Sequence, residues 1–115
     1  MSMENLAPQD VARWMAERAI VLIDEREPDE YAVERIHGAL LYPLSCFDPK
    51  ALPDPGERKL VFQCGSGLRS AKAMAKCADA GIAFAGHLAG GIRAWREAGL
   101  PVIATDPDTG QLREG

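Results

Sequence analysis

The fold of this chain is decided by the stretch Lys59-Leu60-Val61-Phe62-Gln63-Cys64-Gly65-Ser66-Gly67-Leu68-Arg69-Ser70. It begins as a short apolar strand that runs into a cysteine, and it continues as a loop with two glycines. From Arg69 onward the pattern is helical, because alanine and methionine occupy positions 71, 74, 75 and 78, which share one helix face. Cys64 therefore lies where a strand ends and a loop leads into a helix N-terminus.

The surroundings predicted for Cys64 favour a reactive thiolate. A helix N-terminus leaves backbone N–H groups unpaired and carries about half a positive charge, so it stabilises an anion in front of it. A thiol placed there should have a pKa below its free value of about 8.5. Gly65 and Gly67 allow several N–H groups to point inward as an anion-binding nest. The stretch predicts a nucleophilic cysteine in an oxyanion cradle, and an inert buried cysteine is the alternative.

Length and composition are those of a small globular protein. The chain has 115 residues, of which 47% are hydrophobic and 26% charged. We expect a single domain over residues 1–115, with its core at about 5–103 and a polar tail at 104–115 whose last residues fray. No run of about 18 apolar residues occurs, so we expect no membrane span. The first residues lack the basic and apolar regions of a signal peptide.

The cysteines and the charge narrow the class of function. Cys46, Cys64 and Cys77 are widely spaced and form no CxxC pair, which disfavours a disulfide framework or a metal site and favours a reducing cytoplasm. The net charge of −4 disfavours a nucleic acid partner. Residues 58–76 nevertheless contain five basic side chains and no acidic one, an arrangement that would draw small anions towards Cys64.

Short apolar segments alternate with helical segments along the rest of the chain. Strands are expected at residues 19–24, 39–44, 59–63 and 82–88, and residues 45–55 are expected to form a loop or one irregular helical turn. This alternation predicts an α/β domain with a mostly parallel sheet. In such sheets ligands bind beyond the carboxyl ends of the strands, which is where Cys64 falls.

Three motifs occur in a specific order. They are Leu22-Ile23-Asp24-Glu25-Arg26-Glu27-Pro28-Asp29-Glu30-Tyr31 with Ile36-His37-Gly38-Ala39, then residues 64–70, then Leu88-Ala89-Gly90-Gly91-Ile92-Arg93-Ala94-Trp95 with Gly99-Leu100-Pro101-Val102. They resemble the LIDVRExxEY…GHIPGA, CxxGxRS and LxGGxxxWxxxGxPV motifs of single-domain rhodaneses, which are sulfurtransferase modules. Glu25 stands in place of the usual apolar residue, Glu34-Arg35 in place of Gly-His, and His37 in place of proline.

The resemblance implies a rhodanese-like α/β fold, with a mostly parallel central sheet flanked by helices, and ping-pong transfer of sulfane sulfur. Cys64 would take sulfur from a small anionic donor, thiosulfate or a persulfide, and pass it to cyanide, a thiol or a protein acceptor. The chemistry requires no metal or organic cofactor, and no nucleic acid or membrane. The anionic sulfur would be stabilised by the loop Gly65, Ser66, Gly67, Leu68, Arg69 and Ser70.

Residues outside the cradle receive supporting roles. The resemblance implies that Asp24 helps to hold the active loop, and Arg26 is expected to form an ion pair with Glu30 that fixes the first loop. Arg69 lies at the lip of the cradle, where it could meet an anionic substrate or face solvent.

His37 and His87 could act as general bases, but no pattern places either near Cys64, and a surface or packing role is favoured for both. Cys77 is expected to pack in the core. Cys46 lies in the proline-rich loop, where a role as a resolving thiol for Cys64 is left open.

Two other functions are weighed on this fold. Phosphatases and arsenate reductases place five residues between Cys and Arg and so wrap a tetrahedral oxyanion. Here four residues separate Cys64 from Arg69, and the shorter loop favours a single sulfur atom. A non-catalytic regulatory or sulfur-carrier module is the other alternative, although such modules commonly lose the cysteine that this chain retains.

Overall fold

The computed structural model describes residues 5–114, which form two sheets and four helices. The five-stranded sheet has the order β1-β6-β5-β2-β4. Its strands are β1 (Asn5–Leu6), β2 (Ile20–Asp24), β4 (Leu40–Leu41), β5 (Lys59–Gln63) and β6 (Gly86–Leu88). The smaller sheet has the order β3-β7-β8, and its strands are β3 (Glu34–Arg35), β7 (Ile103–Thr105) and β8 (Leu112–Glu114).

The helices are α1 (Pro8–Ala16), α2 (Pro28–Val33), α3 (Leu68–Asp79) and α4 (Gly91–Glu97). Within residues 5–114, no helix has the length and apolar character needed to cross a membrane.

Every strand pair in the larger sheet is parallel, so the predicted α/β fold with a parallel central sheet is confirmed. The register places Leu22 of β2 beside Val61 of β5, and Asp24 beside Gln63. Cys64 follows β5 directly and therefore lies at the carboxyl edge of the sheet, as the sequence pattern predicts.

Alternating side chains bury both faces of the sheet. Leu22 and Val61 belong to a core cluster that includes Trp95 of α4, whereas Ile23 and Phe62 belong to a second cluster that includes α3 residues. Strands that are buried on both faces read as continuous apolar runs, which explains the sequences of β2 and β5. The two clusters hold α4 and α3 against opposite faces of the sheet, on either side of the strand that ends before Cys64.

The structure differs from the sequence prediction at several edges. The only strand within residues 39–44 is the two-residue β4, and the only strand within residues 82–88 is β6. Two 3₁₀ turns, Leu44–Cys46 and Pro49–Ala51, occupy much of the segment expected to be a loop or one irregular turn. Residues 103–114, which include most of the polar tail, contain the antiparallel hairpin β7–β8. Its turn is closed by the Asp108 N–H, which donates to Asp106, and by Gly110, which has a positive φ of 74°. This is hairpin chemistry, in which a short Asp turn is followed by a left-handed glycine.

Glu25, like its neighbour Asp24, is an acid buried in this core. Its side chain is fully buried, and neither carboxyl oxygen has a hydrogen-bond partner within the described chain. Burial, together with the charges of Asp24 and Cys64, raises the pKa of Glu25 to about 9. Glu25 is therefore protonated and neutral near pH 7, which is how a carboxyl group is tolerated where the related motif has an apolar residue.

We predict that Glu25 makes the protein less stable as pH rises from about 5 to 8. The unfolded chain releases the Glu25 proton near its ordinary pKa, whereas the folded chain retains it up to about 9, so rising pH favours unfolding. The free energy of unfolding of a Glu25→Val variant should therefore gain on the natural protein by about 1.4 kcal/mol per pH unit across that window. Urea titrations at several pH values measure this, with exposed Glu57→Gln as the control. Parallel curves for Glu25→Val and the natural protein would contradict the prediction.

Candidate active site

The sulfur of Cys64 lies inside a ring of hydrogen-bond donors. The backbone N–H of Gly67 donates to Sγ at 3.1 Å and that of Ser70 at 3.4 Å, while the Ser70 hydroxyl oxygen is 3.5 Å from Sγ. Cys64 is almost fully buried, with 1% of its surface exposed. Two backbone N–H groups of the loop, those of Gly67 and Ser70, thus converge on the sulfur atom of Cys64.

The loop curls around Sγ because its carbonyl groups are held on the other side. The carbonyl oxygen of Cys64 accepts from the N–H of Ile92 at 2.8 Å, and that of Gly65 accepts from Arg93 at 3.2 Å. A Cβ at Gly91 would collide with both of these peptide groups, so only glycine allows α4 to approach so closely. Gly67 turns the chain with a φ of 107° and begins α3. Two helix starts thus fix opposite sides of one loop.

The cradle changes the acidity of Cys64. Burial alone raises the pKa of the thiol, but the Ser70 side chain and the N–H groups of Ser70, Gly67 and Ser66 outweigh it, so the net pKa of Cys64 lies below its ordinary value. Hydrogen bonds to the charged form of an acid lower its pKa. This outcome agrees in direction with the helix-terminus argument from sequence.

An open cleft of about 300 Å³ adjoins the loop. It carries charge of both signs, and its lining residues are Arg26, Glu30, Glu34, Gly65, Ser66, Ile92, Arg93 and Arg96. A larger concavity of about 530 Å³ lies at the amino end of β5, beside Arg58 and Lys59, and is therefore at the edge of the sheet opposite Cys64. The smaller cleft is the one that a substrate of Cys64 would enter.

The predicted ion pair between Arg26 and Glu30 does not form, so this prediction is wrong. Arg26 binds the buried Asp24 carboxylate, with Nη2–Oδ2 at 3.0 Å, and also donates to the Glu34 carbonyl at 2.7 Å. Glu30 instead accepts from both terminal nitrogens of Arg69, at 2.6 and 2.9 Å. Asp24 therefore acts on the cleft wall through Arg26, two residues along the chain, and Arg69 ties the active loop to α2.

The Glu30–Arg69 pair shifts the pKa values of both of its members. The hydrogen bond from Arg69 is the main reason why the pKa of Glu30 is lowered to about 2, and it raises the pKa of Arg69. Glu30 also accepts from the Glu27 N–H at the start of α2. The guanidinium of Arg69 is thus beside the loop, as predicted, but its charge is matched by a carboxylate.

His87, for which the sequence favours a surface or packing role, lies against the cradle. Its Nδ1 lies 2.7 Å from the Ser70 hydroxyl oxygen, and its Nε2 lies 2.7 Å from Oδ1 of Asn5. The signal lies in the parallel register, because β6 places His87 beside Phe62, two residues before Cys64. The predicted packing role holds in that His87 is buried, but it is also in contact with the cradle. His37, by contrast, is exposed.

The other two cysteines occupy different environments. Cys77 is fully buried in the core cluster beneath α3, and burial, with the charge of Glu25, raises the pKa of its thiol to about 11. Cys46 is exposed on a 3₁₀ turn, where its thiol donates to the Pro43 carbonyl. Across residues 5–114, no cluster of three or more histidine, cysteine or acidic side chains is placed to hold a metal ion.

Known proteins are similar in sequence to most of this chain. The family model of the rhodanese-like domain matches residues 7–98. An uncharacterized protein of Synechocystis sp. is 37% identical over 101 residues, which cover 88% of this chain and only 56% of that protein. A sulfurtransferase of Allochromatium vinosum is 36% identical over 87 residues, covering 76% of this chain and 81% of that protein.

Solved structures give the same fold. A thiosulfate sulfurtransferase from Pseudomonas aeruginosa superposes with a TM-score of 0.78 at 26% identity, covering 98% of this chain and 22% of that one. A protein of unknown function from Rhodopseudomonas palustris, described as a possible tyrosine phosphatase, superposes with a TM-score of 0.74 at 32% identity, covering 87% of this chain and 84% of that one.

We predict two well-separated thiol titrations. Thiolate absorbance, measured against pH, should show Cys64 ionising below the ordinary pKa of a thiol, because of its hydrogen-bond donors, and Cys77 ionising near 11. Subtracting the curves of Cys64→Ser and Cys77→Ser variants from that of the natural protein assigns each step. A Cys64 step at or above the free value would show that burial outweighs the cradle.

Proposed function

The chain belongs to the rhodanese-like domain family, and on that basis we propose that it is a sulfurtransferase that carries sulfane sulfur as a persulfide on Cys64. The observation that carries the proposal is the cradle itself, in which the N–H groups of Gly67 and Ser70 converge on one sulfur atom. An anionic sulfur at this point is stabilised by donors that are already oriented before the reaction.

The reaction has two displacement steps. The Cys64 thiolate attacks the outer sulfur of thiosulfate, the sulfur–sulfur bond of the donor breaks, and sulfite leaves with the electron pair. The cradle then holds the negative charge of the new persulfide. Cyanide or a thiolate next attacks the outer persulfide sulfur, and the Cys64 thiolate leaves, which regenerates the enzyme. A persulfide donor serves the first step in the same way, with a thiolate as the leaving group.

Arg93 is the best placed residue to receive the anionic end of the donor. Arg26, Arg96 and Arg69 are committed to Asp24, Glu34 and Glu30. Arg93 lines the same cleft, its side chain is exposed, and no carboxylate of residues 5–114 lies within salt-bridge distance of it. Its backbone N–H is held by the Gly65 carbonyl, so the residue is anchored beside the loop.

Phosphate-ester hydrolysis on this fold is less well supported. The four residues between Cys64 and Arg69 form the shorter loop, and the donors that could wrap an oxyanion converge on Sγ instead. The arginine that such chemistry would aim at the phosphate is held by Glu30. Because one structural neighbour is described as a possible tyrosine phosphatase, the assay below includes a phosphate ester.

We predict that Cys64→Ser abolishes thiocyanate formation from thiosulfate and cyanide while the fold is retained, because a hydroxyl forms no persulfide. Cys46→Ser and Cys77→Ser are the matched controls and should each retain most of the activity. Circular dichroism checks the fold, and p-nitrophenyl phosphate is assayed in parallel. Thiocyanate formation by Cys64→Ser above a few per cent, or phosphate-ester turnover as the main activity, would overturn the proposed function.

We predict that Arg93→Ala raises KM for thiosulfate about fivefold with little change in kcat, because one partly exposed charge contributes about 1 kcal/mol to binding. The effect should shrink at high salt, since ions screen exposed charges. Arg58→Ala is the control, because it removes the same charge at the opposite edge of the sheet. An unchanged KM at low ionic strength would remove Arg93 from the binding site and leave the role of Cys64 intact.

A further inference from the structure

Four side chains form a continuous line from the edge of the sheet to the reactive sulfur. Asn5 Oδ1 lies 2.7 Å from Nε2 of His87, and Nδ1 of His87 lies 2.7 Å from the Ser70 hydroxyl oxygen. The hydroxyl oxygen is in turn 3.5 Å from Cys64 Sγ. Ser70 is fully buried and His87 is 7% exposed, so water has little access to the inner links.

We propose that His87 is a positioning residue that accepts the Cys64 proton through the Ser70 hydroxyl, while Asn5 holds the imidazole in the required tautomer. This inference rests on the proposed sulfur transfer, because that reaction needs Cys64 as a thiolate. It assigns roles to Asn5 and His87, which lie outside the loop, and connects them to Cys64 through Ser70.

The backbone pairing of strands and the start of a helix determine where these side chains lie. The parallel pairing of β1 with β6 places Asn5 directly beside His87. Ser70 lies in the first turn of α3, where its backbone N–H and its hydroxyl both face Cys64. Three separate elements, β1, β6 and α3, therefore contribute one residue each to the line that ends at the sulfur. Backbone hydrogen bonds fix the position of each residue.

The direction of the hydrogen bonds follows from Asn5. An amide oxygen only accepts, so Nε2 of His87 carries a proton and donates it to Oδ1. In a neutral imidazole Nδ1 is then an acceptor and receives the Ser70 O–H. The Gly67 carbonyl is a second acceptor for that hydroxyl, but at the longer distance of 3.3 Å. The Ser70 oxygen is thereby left to accept the Cys64 S–H.

Proton transfer along this line is balanced and involves no redox step. The Cys64 proton moves from Sγ to the Ser70 oxygen, and the Ser70 proton moves to Nδ1 of His87. The products are a thiolate and an imidazolium, with the serine hydroxyl regenerated. Its O–H now points at the thiolate and joins the N–H groups of Gly67 and Ser70 as a donor. The hydroxyl can donate to the sulfur only in this state, because otherwise its proton is directed to His87.

The neighbouring titratable groups are compatible with this role. Burial lowers the pKa of His87, so its resting form near pH 7 is the neutral base. Two other titratable groups interact electrostatically with Cys64. Glu25 is neutral below about pH 9, and the charge of Arg69 is paired with that of Glu30. On the neighbouring strand β1, the group that faces His87 is the uncharged amide of Asn5.

The test measures the ionisation of Cys64 without substrate. Thiolate absorbance against pH should give a Cys64 midpoint about one pH unit higher in His87→Gln than in the natural protein, which is about tenfold less thiolate below that midpoint. Ser70→Ala should also raise the midpoint, by removing the connecting hydroxyl. The double variant should show little further shift than the larger single one, because the two residues act as one unit. The exposed His37→Gln is the matched control and should leave the midpoint unchanged.

Asn5 variants test the tautomer at an exposed position where the fold is less at risk. Asn5→Asp presents only acceptors and should keep the low midpoint, whereas Asn5→Ala should raise it. If His87→Gln does not fold, the comparison of Asn5→Asp with Asn5→Ala tests the proposed role of His87. Unchanged midpoints in His87→Gln, or equal midpoints in both Asn5 variants, would overturn the proposal. The proposed function fails separately, if the variants show these midpoint shifts but the natural protein forms no thiocyanate.

Discussion

The orientation of two peptide groups is the constraint on which the site depends. The carbonyls of Cys64 and Gly65 are held by the first N–H groups of α4, and the following N–H groups are therefore free to turn towards Sγ. The close approach of α4 requires a residue without Cβ at Gly91. Helix α3, whose N-cap residue is Gly67, forms the opposite wall of the cradle. The cradle is thus a consequence of packing two helices against the carboxyl edge of one parallel sheet.

Charge is distributed around this cradle so that backbone dipoles, and not cations, meet the sulfur. Asp24 neutralises Arg26, and Glu30 neutralises Arg69, which leaves these side chains to fix the walls of the cleft. The buried Glu25 remains protonated near pH 7 and adds no negative charge beside the thiol. A preoriented set of dipoles loses little energy to reorganisation when the negative charge moves from Cys64 to the persulfide sulfur. Such a site suits a sulfur atom that is repeatedly added and removed.

The sequence predicted the local features and missed the long-range ones. The strand into Cys64, the glycine loop and the start of α3 follow from periodicity within twelve residues, and the parallel sheet follows from the alternation of apolar and helical segments. The pairing of β1 with β6 joins Asn5 to His87 across 82 positions, and no local pattern reports it. The Glu30–Arg69 pair spans 39 positions, and no local pattern indicates this contact either. The β7–β8 hairpin, however, was signalled by Asp106 and Gly110 and could have been found.

In the proposed function, Cys64 carries the transferred sulfur. Mass spectrometry of the protein after incubation with thiosulfate, without reductant and with peptide mapping, measures whether it does. We expect one added sulfur atom on the peptide that contains Cys64, no addition in Cys64→Ser, and loss of the added mass with formation of thiocyanate when cyanide is supplied. An unmodified Cys64, or sulfur carried on Cys46 instead, would contradict it.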